Sequence, residues 1–311
     1  MFDIFRNTTR PNPDLFFRKN DADDVRLSEI IPNCNYPESE VVILGCPQDE
    51  GVRRNGGRVG AALAPEAIRR QFYKLTPFGI VVKVYDSGDT MIQKSLEETH
   101  DLHTQIVEQI LRDGKKLIVL GGGNDVSYAD GCAMAYVFGA KNWVGINIDA
   151  HFDVRADQPR NSGTPYRQLL EEKSITPENF YEIAYQPQAT SPIHYDYLRN
   201  CGVNTTSLDE FDNSDFELQI KSKISNAGTA IFWGFDVDAV QSADAPGTSA
   251  PSPIGLAARE FCHLAKFAGS LSNTKVIEFT EVNPNYDVDN RTAKLVAAAM
   301  HNFLSATKRA D

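Results

Sequence analysis

The stretch WVGINIDAHFDVR, residues 143–155, decides the fold that this sequence predicts. Its first half is almost continuously apolar, which is typical of a strand buried on both faces of a parallel sheet. Directly after that strand, Asp149, His151 and Asp153 stand at alternate positions. Alternate side chains of an extended chain point to the same side, so we expect these three to converge at the end of the strand.

Similar apolar runs recur along the chain and predict further buried strands. They are VVILGC (41–46), IVVKVYD (80–86), LIVLG (117–121), FYEIAY (180–185), AIFWGFDVD (230–238) and KVIEFTEV (275–282). Helical patterns lie between some of these runs and after the last, at 64–75, 95–116, 255–271 and 292–309. Strands that alternate with helices predict an α/β fold of three α/β/α layers, with a mainly parallel central sheet and right-handed crossovers.

The chain is predicted to form a single domain over residues 1–311, because it contains no internal repeat, low-complexity tract or convincing linker. We expect residues 1–39, approximately, to be an N-terminal extension that packs on this domain. No segment approaches the roughly 20 apolar residues that span a bilayer, and the N-terminus lacks the apolar core of a secretion signal. These features favour a cytoplasmic protein that does not enter a membrane.

The formal net charge of the chain is −11. A diffuse acidic surface disfavours nucleic acids and anionic membranes as partners, because both require a positive surface. Five scattered cysteines, an odd number without a CxxC motif, indicate reduced thiols rather than a disulfide framework or a zinc knuckle. They are Cys34, Cys46, Cys132, Cys201 and Cys262.

Polar residues follow four of the predicted strands at the point where each strand ends. They lie in GGGND (121–125), DAHFD (149–153), DVD (236–238) and EVNP (281–284). Ligands of open parallel sheets bind beyond the carboxyl ends of the strands. We therefore expect the functional site at this edge of the sheet.

The residue types at these strand ends indicate a metal site. Asp236 and Asp238 repeat the alternate spacing of Asp149, His151 and Asp153 on a second strand. Four carboxylates and one imidazole, without a thiolate, favour hard divalent cations, Mn²⁺ above Zn²⁺, and suit two ions that share and ionise a water molecule. The alternative for either motif alone is a turn closed by Asp side-chain hydrogen bonds. The presence of both motifs favours metal.

The chain resembles the ureohydrolases, which include arginase, agmatinase and formiminoglutamase, from about residue 40 to its C-terminus. The matching segments are GVRRNGGRVGAALAPEAIRR (51–70), GGGND (121–125), DAHFD (149–153), SGTPYRQ (162–168), FDVD (235–238) and EVNPNYDVDNRTAKL (281–295). The resemblance implies an arginase-like fold, two Mn²⁺ ions per subunit and a homo-oligomer, a trimer or hexamer. It also implies that Asp149 and Asp236 bridge the ions, that Asp153 completes the first site, and that His151 and Asp238 complete the second.

Asn124 departs from the family pattern, which usually has a histidine ligand of the first ion at this position. The Asn124 carbonyl oxygen can ligate the ion as a weaker donor, or the side chain only forms hydrogen bonds and leaves this site one ligand short. Both alternatives stay open, and either predicts that the first ion binds less tightly than the second. A second departure is Gly234, where the family motif usually carries a serine, so that one hydroxyl near the site is lost.

The loops around the predicted site favour one activity within the family. NGGR (55–58), SGTPYRQ (162–168) and IAYQPQATS (183–191) resemble formiminoglutamase rather than arginase. The guanidinium of Arg167 or Arg58 would bind a substrate carboxylate through paired hydrogen bonds, although a surface ion pair is the alternative for each. Asn55 and Asp244 are further candidates for substrate contact, and Asp244 alternatively organises its own loop.

The resemblance also implies the catalytic residues and the reaction. Glu281 would face the amidine end of a small-molecule substrate, although it alternatively caps the following turn, and Asp153 would carry a proton to the leaving amine. The predicted reaction is hydrolysis of N-formimino-L-glutamate to L-glutamate and formamide, a step in histidine degradation. The alternatives are an agmatinase, an arginase or another guanidino hydrolase, and a metal-poor homologue without catalytic activity.

Overall fold

The computed structural model describes residues 2–223 and 229–309. Along the chain the helices and strands are β1 Thr8–Thr9, α1 Leu27–Ile30, β2 Val41–Gly45, α2 Glu50–Arg54, α3 Ala64–Phe72, β3 Val84–Thr90, α4 Leu96–Arg112, β4 Lys116–Leu120, α5 Val126–Phe138, β5 Trp143–Ile148, α6 Pro165–Glu171, β6 Phe180–Tyr185, α7 Pro192–Cys201, β7 Asn204–Ser207, α8 Asn213–Lys223, β8 Ala230–Asp236, α9 Ala258–Ser270, β9 Thr274–Thr280 and α10 Arg291–Ala306. Short 3₁₀ turns connect several of these elements.

The strands form one sheet in the order β1-β3-β2-β4-β9-β8-β5-β6-β7. All neighbouring strands pair in parallel except β1, which runs antiparallel to β3 at the edge of the sheet. The predicted mainly parallel sheet is therefore confirmed. Because β4, β9, β8 and β5 are successive neighbours, their carboxyl ends lie side by side at the centre of one edge.

Helices cover both faces of the sheet. On β2, Val41 and Ile43 belong to a buried cluster that includes side chains of α3, α9 and α10. Val42 and Leu44, which point the other way, belong to a second cluster with side chains of α4, α5 and α6. Burial on both faces explains why this run is continuously apolar, and it confirms the three-layer α/β/α fold.

The elements that differ from the predictions do so for identifiable reasons. The run predicted as a strand at 80–86 forms its strand later, at Val84–Thr90. This strand includes Asp86, which can be buried because Arg69 Nε of α3 lies 2.9 Å from Asp86 Oδ2. Helix α5 was not predicted, because small and apolar residues occupy most of its sides and no amphipathic pattern marks it. None of the helices in residues 2–223 and 229–309 has the length and apolar character of a membrane-spanning segment.

The N-terminal residues pack against the rest of the chain. Ile4, Leu15, Leu27 and Ile31 are each at most 3% exposed and belong to the two core clusters. The residues before β2 therefore share the core of the domain, whereas the boundary at residue 39 stays a prediction. All five cysteines are free thiols, and Cys46 and Cys132 among them are buried.

Candidate metal centre

Four neighbouring strands bring the candidate ligands together. Strand β8 ends at Asp236, Asp149 directly follows β5, and Glu281 directly follows β9. Asn124 lies in the loop between β4 and α5. Since these strands are adjacent and parallel, residues that are distant in the sequence meet at one edge of the sheet.

The ligand atoms form two overlapping groups. The first group contains Asp149, Asp153 and Asp236, the second contains Asp149, His151 and Asp238, and within each group all ligand atoms lie within 4.8 Å of one another. Asp149 belongs to both groups, which is the position that a carboxylate bridging two ions must occupy. Asp236, the other expected bridge, falls in the first group only.

Two turns of the same kind place these side chains. The backbone N–H of His151 donates to Asp149 Oδ1 at 2.7 Å, and the N–H of Asp238 donates to Asp236 Oδ1 at 2.9 Å. The extended conformation expected for residues 149–153 is not found, because β5 ends at Ile148 and the chain turns. The same aspartates both close the turns and face the centre, so the turn and the metal site are not exclusive alternatives.

Asp153 and Glu281 have left-handed backbone conformations, with φ of 47° and 63°. Such conformations are unfavourable for residues other than glycine and cost roughly 1–3 kcal/mol each, so they persist only where the surroundings enforce them. The N–H of Glu281 donates to Gly122 O at 2.9 Å, and the N–H of Arg155, two residues after Asp153, donates to Gly163 O at 2.8 Å. These contacts hold both side chains toward the centre.

The carboxylates of the centre are buried close to one another. Asp149, Asp236, Asp238 and Glu281 are each at most 4% exposed. Burial, followed by repulsion from neighbouring carboxylates, raises the pKa of Asp153 and of Asp236 well above the usual range. Burial also raises the pKa of Glu281 to about 8.

His151 is the one cationic partner within this group. Attraction by Asp238, whose Oδ2 lies 3.2 Å from His151 Nδ1, raises the histidine pKa to about 12. Burial raises the pKa of Asp149, but its hydrogen bonds with His151 outweigh that effect and lower it. One imidazolium cannot neutralise this number of carboxylates, so without a further positive charge some of them must hold protons.

The residues present fit a pair of divalent cations. Asp238 Oδ1 and Glu281 Oε2 are buried and have no hydrogen-bond partner. Leaving such oxygens unpaired is costly, and cations at the centre would pair them. A donor set of carboxylates and one imidazole, without a thiolate, suits Mn²⁺.

The Asn124 side chain turns its carbonyl oxygen away from the centre. Asn124 Oδ1 accepts hydrogen bonds from Ser127 Oγ at 2.9 Å and Thr280 Oγ1 at 3.0 Å. Asn124 Nδ2 donates to Asp153 Oδ2 at 2.6 Å. Because an amide nitrogen does not ligate a cation, this geometry favours the second alternative for Asn124, that of a hydrogen-bonding residue.

A cavity of about 490 Å³ opens above the centre. Its floor includes His151, Asp153, Asp236, Asp238 and Glu281. Its walls include Asn55, Arg155, Ser162, Thr190, Ser191 and His194. This size and its polar lining suit a small polar ligand.

Two arginines predicted to bind substrate do not line the cavity. Arg58 Nη2 donates to Thr248 O at 2.7 Å, and its guanidinium lies 4.2 Å from the ring centre of Tyr286. Arg167 Nε lies 2.7 Å from Glu171 Oε1, and its guanidinium stacks on Tyr197 at 4.1 Å. Both cations already have partners, so their role in substrate binding stays a prediction without support from the geometry.

Asn55 and Asp244, the other two candidates for substrate contact, lie in different positions relative to the cavity. Asn55 lines the cavity, and its Nδ2 donates to Ser162 Oγ at 3.1 Å. Asp244 is not among the cavity residues, and its Oδ2 accepts from Gln241 Nε2 at 2.8 Å and from Ala258 N at 2.9 Å. The Asp244 geometry fits a residue that organises its own loop.

Arg155 lines the cavity, although the sequence analysis did not single it out. Its side chain is 52% exposed, and the carboxylate paired with it, that of Asp157, lies 3.9 Å away. A Cβ at Gly163 would lie 2.7 Å from Arg155 Cδ, so the arginine stem packs closely on this glycine. The sequence feature that could have identified Arg155 is its position two residues after Asp153, in the segment that turns around the centre.

Two further buried pairs support the loop that carries Asn124. His100 Nε2 lies 2.8 Å from Asp125 Oδ2, and His103 Nε2 lies 3.1 Å from Asp130 Oδ1. All four side chains are at most 2% exposed. These histidines stabilise the start of α5 rather than face the cavity.

Comparisons with known proteins identify related sequences and structures. The arginase-family model matches residues 39–305. The chain is 35% identical to a formimidoylglutamase of Staphylococcus aureus over 86% of each chain, and 32% identical to one of Staphylococcus carnosus over 94% of this chain and 98% of the relative. The crystal structure of Trypanosoma cruzi formiminoglutamase with two Mn²⁺ ions is similar, with a TM-score of 0.84, 32% identity and coverage of 91% of this chain and 98% of that one.

Replacing Asp236 by asparagine tests the repulsion within the centre. In excess chelator we expect Asp236→Asn to raise the free energy of unfolding by about 1 kcal/mol or more, because a buried like charge is removed. Added Mn²⁺ should stabilise the wild type and have much less effect on the variant. Urea unfolding with chelator and with Mn²⁺ measures both effects.

The exposed Asp101→Asn is the matched control and should behave as the wild type does. A variant that is less stable than the wild type in chelator, yet gains as much from Mn²⁺, would contradict this description of the centre.

Proposed function

The chain belongs to the arginase family and is a hydrolase of linear amidines, and on this basis we propose that it hydrolyses N-formimino-L-glutamate to L-glutamate and formamide with two Mn²⁺ ions per subunit. The observation that carries the choice of substrate is the weakly paired guanidinium of Arg155 in the wall of a cavity whose floor is acidic. N-formimino-L-glutamate has a cationic amidine on its α-nitrogen, beside the α-carboxylate, and a γ-carboxylate at the other end. Its two ends match the charges of the floor and the wall.

The proposed ligands follow the two groups of side chains. Asp149, which belongs to both groups, would bridge the ions, Asp153 would complete the first site, and His151 and Asp238 would complete the second. Asp236 falls in the first group only, so its role as the second bridge is proposed from the resemblance alone. Bound Mn²⁺ ions lower the pKa of water toward neutrality and thereby supply the nucleophile for hydrolysis. The first ion should bind less tightly, because Asn124 presents its amide nitrogen and not its oxygen to this group.

Glu281 is proposed to orient the amidine group. Its Oε1 accepts a hydrogen bond from the backbone N–H of Asn124 at 2.9 Å, which fixes the carboxyl group. Its Oε2 is buried near the Ser249 hydroxyl without a hydrogen bond of normal geometry, and Glu281 lines the cavity. A carboxylate here accepts hydrogen bonds from the N–H groups of the amidinium and holds its carbon toward the nucleophile, and the positive charge of the substrate favours ionised Glu281.

Asp153 is proposed to carry the proton that the leaving amine needs. It lies at the floor of the cavity, where the amidine group would bind. Asn124 Nδ2 fixes one of its oxygens at 2.6 Å. Asp153 would accept a proton from the attacking water and deliver it to the nitrogen of glutamate as the C–N bond breaks.

The carboxylate end of the substrate is proposed to lie against Arg155. Asn55 and Ser162 are beside it in the cavity wall and can add hydrogen bonds. Thr190 and Ser191 also line the cavity just before α7, where the positive end of the helix dipole favours an anion. A cytoplasmic location stays a prediction from the sequence, and assembly into trimers or hexamers stays a prediction from the resemblance.

A substrate panel tests the proposed reaction. N-formimino-L-glutamate, arginine, agmatine and 4-guanidinobutyrate are assayed with saturating Mn²⁺. We expect kcat/KM for N-formimino-L-glutamate to exceed that for agmatine by roughly 100-fold or more, because agmatine has no carboxylate to pair with Arg155. Arginine and 4-guanidinobutyrate carry a carboxylate, so they test the preference for a formimino over a guanidino group, and we expect both to be poorer substrates. A preference for a guanidino substrate would reject the proposal, and inactivity on the whole panel would favour a non-catalytic homologue.

Replacing Asn124 by histidine should strengthen the first metal site. The imidazole adds a ligand where the amide nitrogen stands, so the variant should keep two Mn²⁺ ions after dialysis while the wild type loses one. Elemental analysis of the dialysed proteins measures the stoichiometry. Asn124→Ala, which removes the side chain without adding a ligand, is the control and should show no gain. Tight, equal occupancy of both sites in the wild type and in Asn124→His would contradict the expectation.

Replacing Arg155 by glutamine should weaken substrate binding. We expect KM for N-formimino-L-glutamate to rise roughly 10- to 100-fold, because hydrogen bonds to a charged group contribute about 1.5–3 kcal/mol. Steady-state kinetics at saturating Mn²⁺ measure KM, and unchanged Mn²⁺ affinity shows that the metal centre is intact. The matched control is Arg167→Gln, for which KM should change less than about two-fold. A large change at Arg167 with none at Arg155 would reverse this assignment.

A further inference from the structure

A polar layer lies directly beneath the candidate ligands, inside the sheet. In the pairing of neighbouring strands, Asn147 of β5 stands beside Glu182 of β6 on one side and beside Gly234 of β8 on the other. Gly234 in turn stands beside Glu278 of β9. Asn147, Glu182 and Glu278 are all 0% exposed. This layer has no direct contact with the cavity, so its polar groups are not explained by substrate binding.

Asn147 connects this layer to the ligand shared by the two groups. Its Nδ2 donates to Asp149 Oδ2 at 3.2 Å and to Glu182 Oε2 at 3.0 Å. The amide therefore fixes one oxygen of Asp149, while the backbone N–H of His151 fixes the other at 2.7 Å. The orientation of the shared carboxylate depends on how Asn147 is held.

Tyr166 of α6 holds Asn147 from the opposite side. Its hydroxyl donates to Asn147 Oδ1 at 2.9 Å, and its side chain is 2% exposed. The ring stacks on Phe180 with the ring centres 4.9 Å apart, so the phenol has little freedom to move away. Burial raises the pKa of Tyr166, which keeps the hydroxyl protonated and able to donate. The hydroxyl thereby sets which way the Asn147 amide points.

Gly234 leaves the room that this hydroxyl needs. A Cβ at position 234 would lie 2.7 Å from Tyr166 Oη and 3.3 Å from Asn147 Oδ1, and the first distance is too short for a real contact. Any side chain at position 234 would therefore displace the phenol or the amide. The glycine therefore does more than lack the hydroxyl of the serine that is usual in the family. The space that it leaves holds the hydroxyl of Tyr166.

We propose that Tyr166 is a positioning residue of the metal centre, which orients Asp149 through Asn147, and that Gly234 is required because it makes room for the Tyr166 hydroxyl. This inference rests on the proposed manganese centre. It assigns the aromatic residue of the SGTPYRQ segment a role at the metal centre rather than at the substrate. Groups of this kind, which hold a ligand without touching the ion, typically change metal affinity 10- to 100-fold.

Mn²⁺ titration of the metal-free protein, with free Mn²⁺ followed by electron paramagnetic resonance, tests the proposal. Tyr166→Phe keeps the ring and its packing and removes only the hydroxyl. We expect its Mn²⁺ affinity to fall roughly 10-fold, the lower end of the range for groups that hold a ligand without touching the ion. The matched control is Tyr128→Phe, which removes a phenol hydroxyl bonded to Glu172 away from the cavity and should leave the affinity unchanged.

Position 234 supplies the second arm of the experiment. Gly234→Ala should lower Mn²⁺ affinity to a similar extent, because its methyl group displaces the phenol. In Tyr166→Phe/Gly234→Ala the hydroxyl is already absent, so the double variant should bind Mn²⁺ no more weakly than Tyr166→Phe alone. A merely structural role for the tyrosine predicts additive losses of stability and no change in metal affinity.

The outcomes distinguish failure of the proposed function from failure of this inference alone. A wild type that binds no Mn²⁺ would overturn the proposed function and this inference together. Wild-type binding with unchanged affinity in Tyr166→Phe, or with additive losses in the double variant, would overturn this inference alone. Should Tyr166→Phe fail to fold, Gly234→Ala decides, and unchanged affinity in that variant counts against the proposal.

Discussion

Repulsion among acidic side chains at the carboxyl ends of β5, β8 and β9 is the constraint on which the site depends. The apolar sheet and its covering helices hold these groups away from water and close to one another. One imidazole, that of His151, is the cation within this group. Two divalent cations would turn the repulsion into attraction, so metal binding and stability of the fold should be coupled. The acidic groups are: Asp149, Asp153, Asp236, Asp238 and Glu281.

Two kinds of contact shape the site: turns of the backbone, and hydrogen bonds from polar side chains that are not ligands. Turns closed by Asp149 and Asp236 aim the second ligand of each segment at the centre. Behind them, hydroxyl and amide groups fix the orientation of the carboxylates, with Asn124 holding Asp153 and Asn147 holding Asp149. The arginase family supplies this scaffold. The cavity walls then carry the groups that distinguish one substrate from another.

The sheet and the candidate ligands were predictable because their signals are local. An apolar run followed by closely spaced acidic residues identifies a buried strand and its functional end without knowledge of the rest of the fold. The segment DAHFD (149–153) is such a case, and the structure gathers its side chains around one point even though the chain there is turned rather than extended. The strand at Val84–Thr90 was misplaced because its acidic residue is buried by an arginine on another element.

Features that depend on contacts between distant segments were not predictable. The orientation of Asn124 is fixed by Thr280, which is 156 residues away in the sequence. Arg155 faces the cavity while Arg167 pairs with Glu171 on its own helix, a distinction that only the packing of these segments decides. The role proposed for Gly234 depends on the phenol of Tyr166, which another element packs against this glycine. Sequence spacing contains none of this information.

Anomalous diffraction at the manganese edge, from crystals grown in Mn²⁺, shows whether these acidic side chains hold two ions. Two peaks are expected roughly 3.5–4 Å apart, with Asp149 between them and the stronger peak beside His151 and Asp238. The absence of any peak at these side chains, or side chains that point apart in the presence of Mn²⁺, would contradict this expectation.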